Sequence, residues 1–238
     1  MVKRKKSYIK KINQLDTLSV HAGVKTDPLT GAVMTPIYAK STYAHDRPGE
    51  HKGYEYSRSQ NPTREVLENS IAELESGYKA FAFASGVAAQ TAVLDLLKPG
   101  DHVIAFDDLY GGTFRLFNEI KSKSSNIEFT FVDLNTNFSK EIKKNTKMIW
   151  IETPTNPLLK ITDLKRIARI ARKNKLITVC DNTFATPYNQ RPLEHGIDIV
   201  NHSTTKYING HSDVIGGALV IGKNKKIEKK LALIQNST

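Results

Sequence analysis

Short apolar runs alternate with helix-length amphipathic segments along nearly the whole chain. Residues 79–84, 102–106, 127–132, 148–151, 176–180, 196–200 and 216–221 are rich in β-branched and aromatic side chains and bounded by turn residues. Each reads as a strand. Val66, Leu67, Ile71 and Leu74 fall at helical spacing behind Asn61-Pro62-Thr63, which supplies helix-start chemistry. Further helices are predicted at 87–97, 113–121, 138–144, 162–174 and 225–234. A chain that passes through a helix after each strand builds an α/β fold: a mostly parallel sheet flanked by helices on both faces. Pro28, Gly31 and Pro36 break residues 26–43 into turns and extended pieces, so that stretch reads as a wrapping segment.

Composition narrows the partners. The 238 residues make one large domain, or one domain and a piece of another. No apolar run reaches membrane-spanning length. The basic start MVKRKKSYIKK is followed by no apolar stretch of the kind a secretory signal needs, and it reads as a polar arm. Cys180 is the only cysteine, which excludes an internal disulfide and agrees with a cytoplasmic protein. The net charge of +11 raises nucleic-acid binding as a reading. The lysines, however, cluster at 3–11, 140–147, 165–175 and 223–230, mostly on outer faces of amphipathic helices and without interleaved aromatics. A solvated basic surface is the expectation, with no nucleic-acid and no membrane partner. No metal-binding residues are expected.

The chemistry concentrates at residues 201–217, NHSTTKYINGHSDVIGG, with Lys206 at the centre. An apolar strand leads into Ser203, Thr204 and Thr205, then into the lysine. A lysine leaving a buried strand is partly desolvated, which favours the neutral nucleophile that condenses with a carbonyl. Hydroxyls beside it can donate to phosphate oxygens. Together they suggest a Schiff-base lysine beside a phosphate site, as in pyridoxal phosphate (PLP) enzymes. Asp181, at the end of a predicted strand, is placed to hold a pyridine nitrogen protonated. The gap from Asp181 to Lys206 leaves room for a loop and one more strand, which brings both to one sheet edge.

Other pieces of such a site are spread along the chain. Strand, Ser85-Gly86 turn and helix form an anion-binding arrangement, although neither GxGxxG nor a Walker A loop is present. Tyr110 follows a strand end, where it serves as a core residue or stacks on a flat ring. Asn156 presents an amide in the proline-braced loop ETPTNP. Tyr56 and Arg58 alternate in what reads as an extended piece and should face the same way, which suits a phosphate.

Taken together and in order, YSRSQNPTR, FASG, DDLYGGT, ETPTNP, DNTFATP and STTKYINGHSDV closely resemble the Cys/Met-metabolism PLP-dependent (trans-sulfuration) enzymes. These include cystathionine γ-synthase, γ-lyase and β-lyase. The resemblance implies a fold-type I, aminotransferase-like large domain. By motif match, Lys206 would hold the cofactor as a Schiff base and Asp181 would pair with the pyridine nitrogen. Tyr110 would stack on the ring and assist as acid or base. Gly86, Val87, Ser203 and Thr205 would hold the phosphate, and Asn156 and Thr183 would be further contacts. The family commonly has Met where Val87 stands, a mild departure because the contact there is largely backbone.

Tyr56 and Arg58 would reach the phosphate of a neighbouring subunit, which implies a homo-oligomer, dimer or tetramer, with shared active sites. Residues 1–52 would form an arm packing on that partner, and residues 53–238 the PLP-binding domain. Relatives continue into a smaller C-terminal domain that carries the substrate-carboxylate arginine. An incomplete member of the family is therefore expected, lacking that domain. The implied activity is C–S bond chemistry on cystathionine or a related sulfur amino acid, by γ-elimination or γ-replacement. Lys206 would remove the α-proton. The alternatives are β-lyase chemistry or a non-catalytic truncated remnant. HSDV after the lysine resembles the cystathionine enzymes more than the homoserine sulfhydrylases.

Overall fold

The structure, a computed structural model, describes residues 15–238. The basic segment 1–11 lies outside the described residues. Contacts divide the chain into a unit ending at Leu74 and a unit running from Glu75 to Thr238.

In the first unit, α1 (Leu15–His21) packs against α2 (Pro62–Leu74). Asn61 caps α2, its Oδ1 accepting the N–H groups of Thr63 and Arg64 at 2.9 and 3.3 Å. Residues 22–61 contain only isolated bridges, Thr42 with Tyr56 and Arg47 with Glu50, as the broken pattern predicts. Helix α1 is too short and too weakly patterned to be read from sequence; none of its residues is buried.

The second unit is built on a seven-stranded sheet. Its strands are β1 (Lys79–Phe83), β2 (His102–Phe106), β3 (Glu128–Val132), β4 (Thr146–Glu152), β5 (Ile177–Asp181), β6 (Ile199–Ser203) and β7 (Gly217–Ile221). In space they run β1-β7-β6-β5-β4-β2-β3. Strands β3, β2, β4, β5 and β6 are parallel, while β7 lies antiparallel between β6 and β1. The expected mostly parallel sheet is therefore present, with one antiparallel strand in its interior.

Residues of β2 and β7 are buried on both faces, which requires cover on each side of the sheet. The cover comes from helices. In chain order the helices of this unit are α3 (Gly86–Leu94), α4 (Gly111–Arg115), the single turn α5 (Ser122–Ser124), α6 (Leu164–Lys173), α7 (Thr186–Asn189) and α8 (Lys225–Ser237). Helix α3 packs on β6, β7 and β1, α8 on β1 and α3, and α6 on β5. Helix α6 turns Leu164, Ile167, Ala168 and Ala171 inward, while Lys165, Arg169, Arg172 and Lys173 stay exposed. In the described helices, the lysine clusters thus lie on solvated faces, as expected.

Three elements differ from expectation. The helix predicted from Thr113 begins at Gly111 and passes into a π-helical stretch over Leu116–Lys121. There the Ser122 N–H bonds to the Phe117 carbonyl, five residues back. Phe117 sits edge-on to Trp150 and stacked on Phe129, and Lys121 reaches Asp95 at 2.5 Å. Residues 138–144 contain only a 3-10 turn, Phe138–Glu141. The strand predicted at 196–200 lies at Ile199–Ser203, because Gly196 closes the 3-10 turn Pro192–His195 in a left-handed conformation. Asn201 and His202 lie just beyond the strand predicted from the sequence. They are buried strand residues here because each has a buried carboxyl partner, Asp181 and Glu75.

Candidate active site

The C-terminal ends of β4, β5 and β6 and the N-terminus of α3 meet at a cavity of about 450 Å³. Parallel strands with helices after them leave their C-terminal ends open to one side, where open α/β sheets hold ligands. Gly86, Val87, Tyr110, Asn156, Asp181, Thr183, Ser203, Thr205 and Lys206 all line it. Tyr56 and Arg58 belong to the first unit and are not among its lining residues. Tyr56 bridges to Thr42 and Arg58 lies in the turn 57–59 that follows, so the two do not alternate along one extended piece; the Arg58 guanidinium stands 5.7 Å from the Tyr56 ring centroid.

The approach of α3 to the sheet depends on glycine. A Cβ at Gly86 would stand 2.7 Å from Ser203 Cβ, and one at Gly217 would stand 2.1 Å from the Ser85 carbonyl oxygen. Ser85 caps α3, its Oγ accepting the Ala88 N–H at 3.0 Å and its carbonyl accepting that of Ala89 at 3.0 Å. The N–H groups of Gly86 and Val87 have no acceptor among the described residues, so two free donors open onto the cavity. Ser203 lies beside them. Thr205 is tied down: its Oγ1 donates to the Gly216 carbonyl and accepts the Gly216 N–H. Thr204, the middle hydroxyl of the triplet, is buried and does not line the cavity.

Asp181 and Asn201 are register partners on β5 and β6. Asp181 is 7% exposed and accepts from Asn201 Nδ2 at 2.8 Å, Thr183 N at 3.0 Å and Gln90 Nε2 at 3.4 Å. Thr183 Oγ1 in turn accepts the Ser203 N–H at 2.9 Å, which joins the two strand ends. Lys206 lies in the turn after β6 and is exposed, with no ion pair at its amine among the described residues. The desolvation expected from the buried strand is therefore not supplied here, because three residues of turn carry the amine clear of the sheet. Tyr110 is 44% exposed at the N-terminus of α4, with its ring against the Gly112 Cα, so it is a cavity residue and not a core tyrosine.

Three features of the site escaped sequence reasoning. Glu152 ends β4 in register with Asp181 and is 5% exposed. Burial, and then the negative charge of Asp181, push its carboxyl up to about 8. Gln90 bridges Asp181 and Thr113 from α3. Behind the site, Glu75 accepts from Asn182 Nδ2 at 2.7 Å and meets His202 Nε2 at 2.5 Å, both side chains being fully buried. A glutamate directly before a proline-braced loop was the available signal for Glu152. Nothing in the sequence links Glu75 to His202, 127 residues away.

Comparison with known proteins decides the family. The Cys/Met metabolism PLP-dependent enzyme family matches residues 16–238. The chain belongs to that family. It is 56% identical over 229 residues to a cystathionine beta-lyase of Coxiella burnetii and 53% identical over 224 residues to a cystathionine gamma-lyase of Bacillus subtilis. These matches cover 95% and 93% of this chain and 59% of each relative. Among solved structures, the cystathionine gamma-lyase of Lactobacillus plantarum complexed with L-serine superposes with a TM-score of 0.90 at 46% identity. That match covers 94% of this chain and 58% of the neighbour. The metB protein of Corynebacterium glutamicum gives 0.92 at 44%, covering 95% and 59%.

Membership of this family implies PLP as the cofactor, and the residues present fit it. Two acceptor-free N–H groups at a helix start suit a phosphate. A buried carboxylate held by three donors suits a protonated ring nitrogen, and an amine free of ion pairs suits a carbonyl carbon.

Proposed function

We propose that the chain carries the cofactor centre of a trans-sulfuration enzyme acting on the C–S bonds of cystathionine or a related sulfur amino acid, of the γ-lyase or γ-synthase type. One observation carries the proposal: Lys206, Asp181 and the free N–H groups of α3 converge on one cavity from separate elements. When bound, PLP supplies an electron sink conjugated to the substrate α-carbon. Lys206 would anchor the cofactor, and its amine would serve as the base for the α-proton. Asp181 holds the proton on the ring nitrogen; its bonds to Asn201, Thr183 and Gln90 fix its orientation. The Gly86 and Val87 N–H groups and the Ser203 hydroxyl bind the phosphate, the Thr205 hydroxyl joins them by giving up its bond to the Gly216 carbonyl, and Asn156 and Thr183 are secondary contacts. The Tyr110 ring covers one face of the cofactor and its hydroxyl moves protons.

Tyr56 and Arg58 complete the phosphate site of a neighbouring copy, so the active form is a homo-oligomer, and residues 1–52 pack on that copy. The protein works in the cytoplasm. No described helix is long and apolar enough to cross a membrane. β-Elimination is the second reading, because the 56% identical relative is named a cystathionine beta-lyase.

The test is spectroscopic. PLP is added to the purified chain and to Lys206→Ala, visible spectra are recorded, the adduct is reduced with borohydride and the labelled residue located by mass spectrometry. A visible band that needs Lys206, with the label on that residue, is expected, followed by cleavage of cystathionine. A folded chain that takes up no label would refute the proposal.

A further inference from the structure

Glu152 has no assigned part in the site above, yet it is as deeply buried on the cavity wall as Asp181. Its Oε2 accepts the Tyr110 N–H at 3.1 Å, and its Oε1 accepts the Asn156 N–H at 2.9 Å. Tyr110 ends the loop after β2 and precedes α4, and Asn156 stands in the loop after β4, so one carboxyl ties together two segments 46 residues apart. Neither segment has a regular ladder at that point. The Asn156 loop is fastened a second time, by Asp108, which accepts the Leu158 N–H at 3.1 Å and a hydrogen bond from the Thr155 hydroxyl. Among the described residues, no second bond of this kind holds the Tyr110 N–H.

We propose that Glu152 is a positioning residue of the cofactor cavity, its two oxygens clamping the Tyr110 and Asn156 main chains at the distance that holds a planar ring between them and Asp181. The part concerning the ring rests on the proposed function; the clamp does not. The charge arrangement supports it. The titratable groups facing Glu152 are Asp181 on β5 and Asp108 on the loop after β2, with Tyr110 and Lys206 on the same cavity. Burial, and then the proximity of Asp181 in register on the adjacent strand, raise the Glu152 carboxyl to about 8, so Glu152 keeps its proton into the neutral range. A protonated carboxyl retains lone pairs on both oxygens, so the clamp survives protonation.

The experiment measures amide exchange by NMR in the full chain without cofactor, for wild type, Glu152→Gln and Glu152→Ala. In wild type, the Tyr110 and Asn156 amides should exchange slowly. In Glu152→Ala both should accelerate, by about tenfold or more, while amides of β2 and β5 keep their protection. Glu152→Gln has one acceptor oxygen and should keep only one of the two slow; this selective rescue is something a general loosening would not produce. Fast exchange of either amide in wild type overturns the clamp, even if neither variant folds. So does unchanged exchange in a folded Glu152→Ala. With PLP added, Glu152→Gln should bind at least about tenfold more weakly than wild type while Lys206 still takes the reduced label. Equal affinity overturns the positioning role. Failure of the wild-type chain to bind PLP at all counts against the proposed function, and the exchange result then decides the clamp alone.

Discussion

Gly217→Ala should damage both the fold and the cofactor site, and its cost can be worked from the geometry. The new methyl would stand 2.1 Å from the Ser85 carbonyl oxygen, 2.4 Å from its carbon and 2.7 Å from the Gly86 nitrogen, all main-chain atoms. Comfortable contact begins near ~3.5 Å, so the two segments must separate by more than about 1 Å. Neither yields freely. Gly217 is paired with Phe83 on β1 and Ser203 on β6. Ser85 carries the cap of α3 and accepts the Ala89 N–H. Overpacking costs about 1–3 kcal/mol, and one lost helix-end hydrogen bond adds about 1 kcal/mol. At about 2–4 °C per kcal/mol for a chain of this size, the summed cost of about 2–4 kcal/mol should lower Tm by roughly 4–16 °C. The same displacement moves the Gly86 and Val87 N–H groups away from Ser203, so PLP retention should fall with it. The control is Gly222→Ala, whose methyl meets nothing within 4 Å and should stay within about 0.5 kcal/mol of wild type. Thermal unfolding and PLP titration of the three proteins suffice. A Gly217→Ala chain that melts with wild type and binds PLP equally would refute the close-approach argument.

Other expectations follow from the buried polar groups. Glu152 is raised in the fold, so folding retains a proton that the unfolded chain releases above its ordinary value of 4.5. That contribution is complete below this value and is lost as pH climbs to about 8; between about pH 6 and about pH 9, wild type should lose roughly 2–3 kcal/mol that Glu152→Gln does not, read by urea unfolding. Glu75→Ala strips the acceptor from both His202 and Asn182 and should cost about 2–4 kcal/mol; Glu75→Gln, which keeps an acceptor oxygen, should cost less, and equal costs would argue against the hydrogen-bonded pair. Burial and neighbouring carboxylates push the Cys180 thiol well up, so the native chain should resist iodoacetamide and react only after denaturation. Rapid labelling of the folded chain would mean that β5 opens.

Much of the candidate site was legible because its residues stand at strand ends, where a turn signal and a functional side chain occur together. Asp181 after ITVC, Tyr110 after HVIAF and DDL, and Lys206 after a strand and three hydroxyls could each be placed by counting. What counting could not supply was exposure. Lys206 was expected to be partly desolvated and is exposed, because burial depends on what packs over a turn and not on the strand that precedes it. Tyr56 and Arg58 were read as alternating along an extended segment, but a turn at Ser57–Ser59 brings the guanidinium over the ring instead.

Local sequence by itself determined the alternation of strands and helices, the parallel character of most of the sheet, and which strand ends carry chemistry. These follow from periodicity and turn residues, which act over a few positions. Tertiary structure alone decided the rest. It set β7 antiparallel between β6 and β1, paired Glu75 with His202, put Glu152 beside Asp181 and made Gly86 and Gly217 indispensable. Each of these joins residues far apart in the chain. Their energies come from burial and close contact, which no local pattern encodes and which exist only once the sheet has brought the segments together.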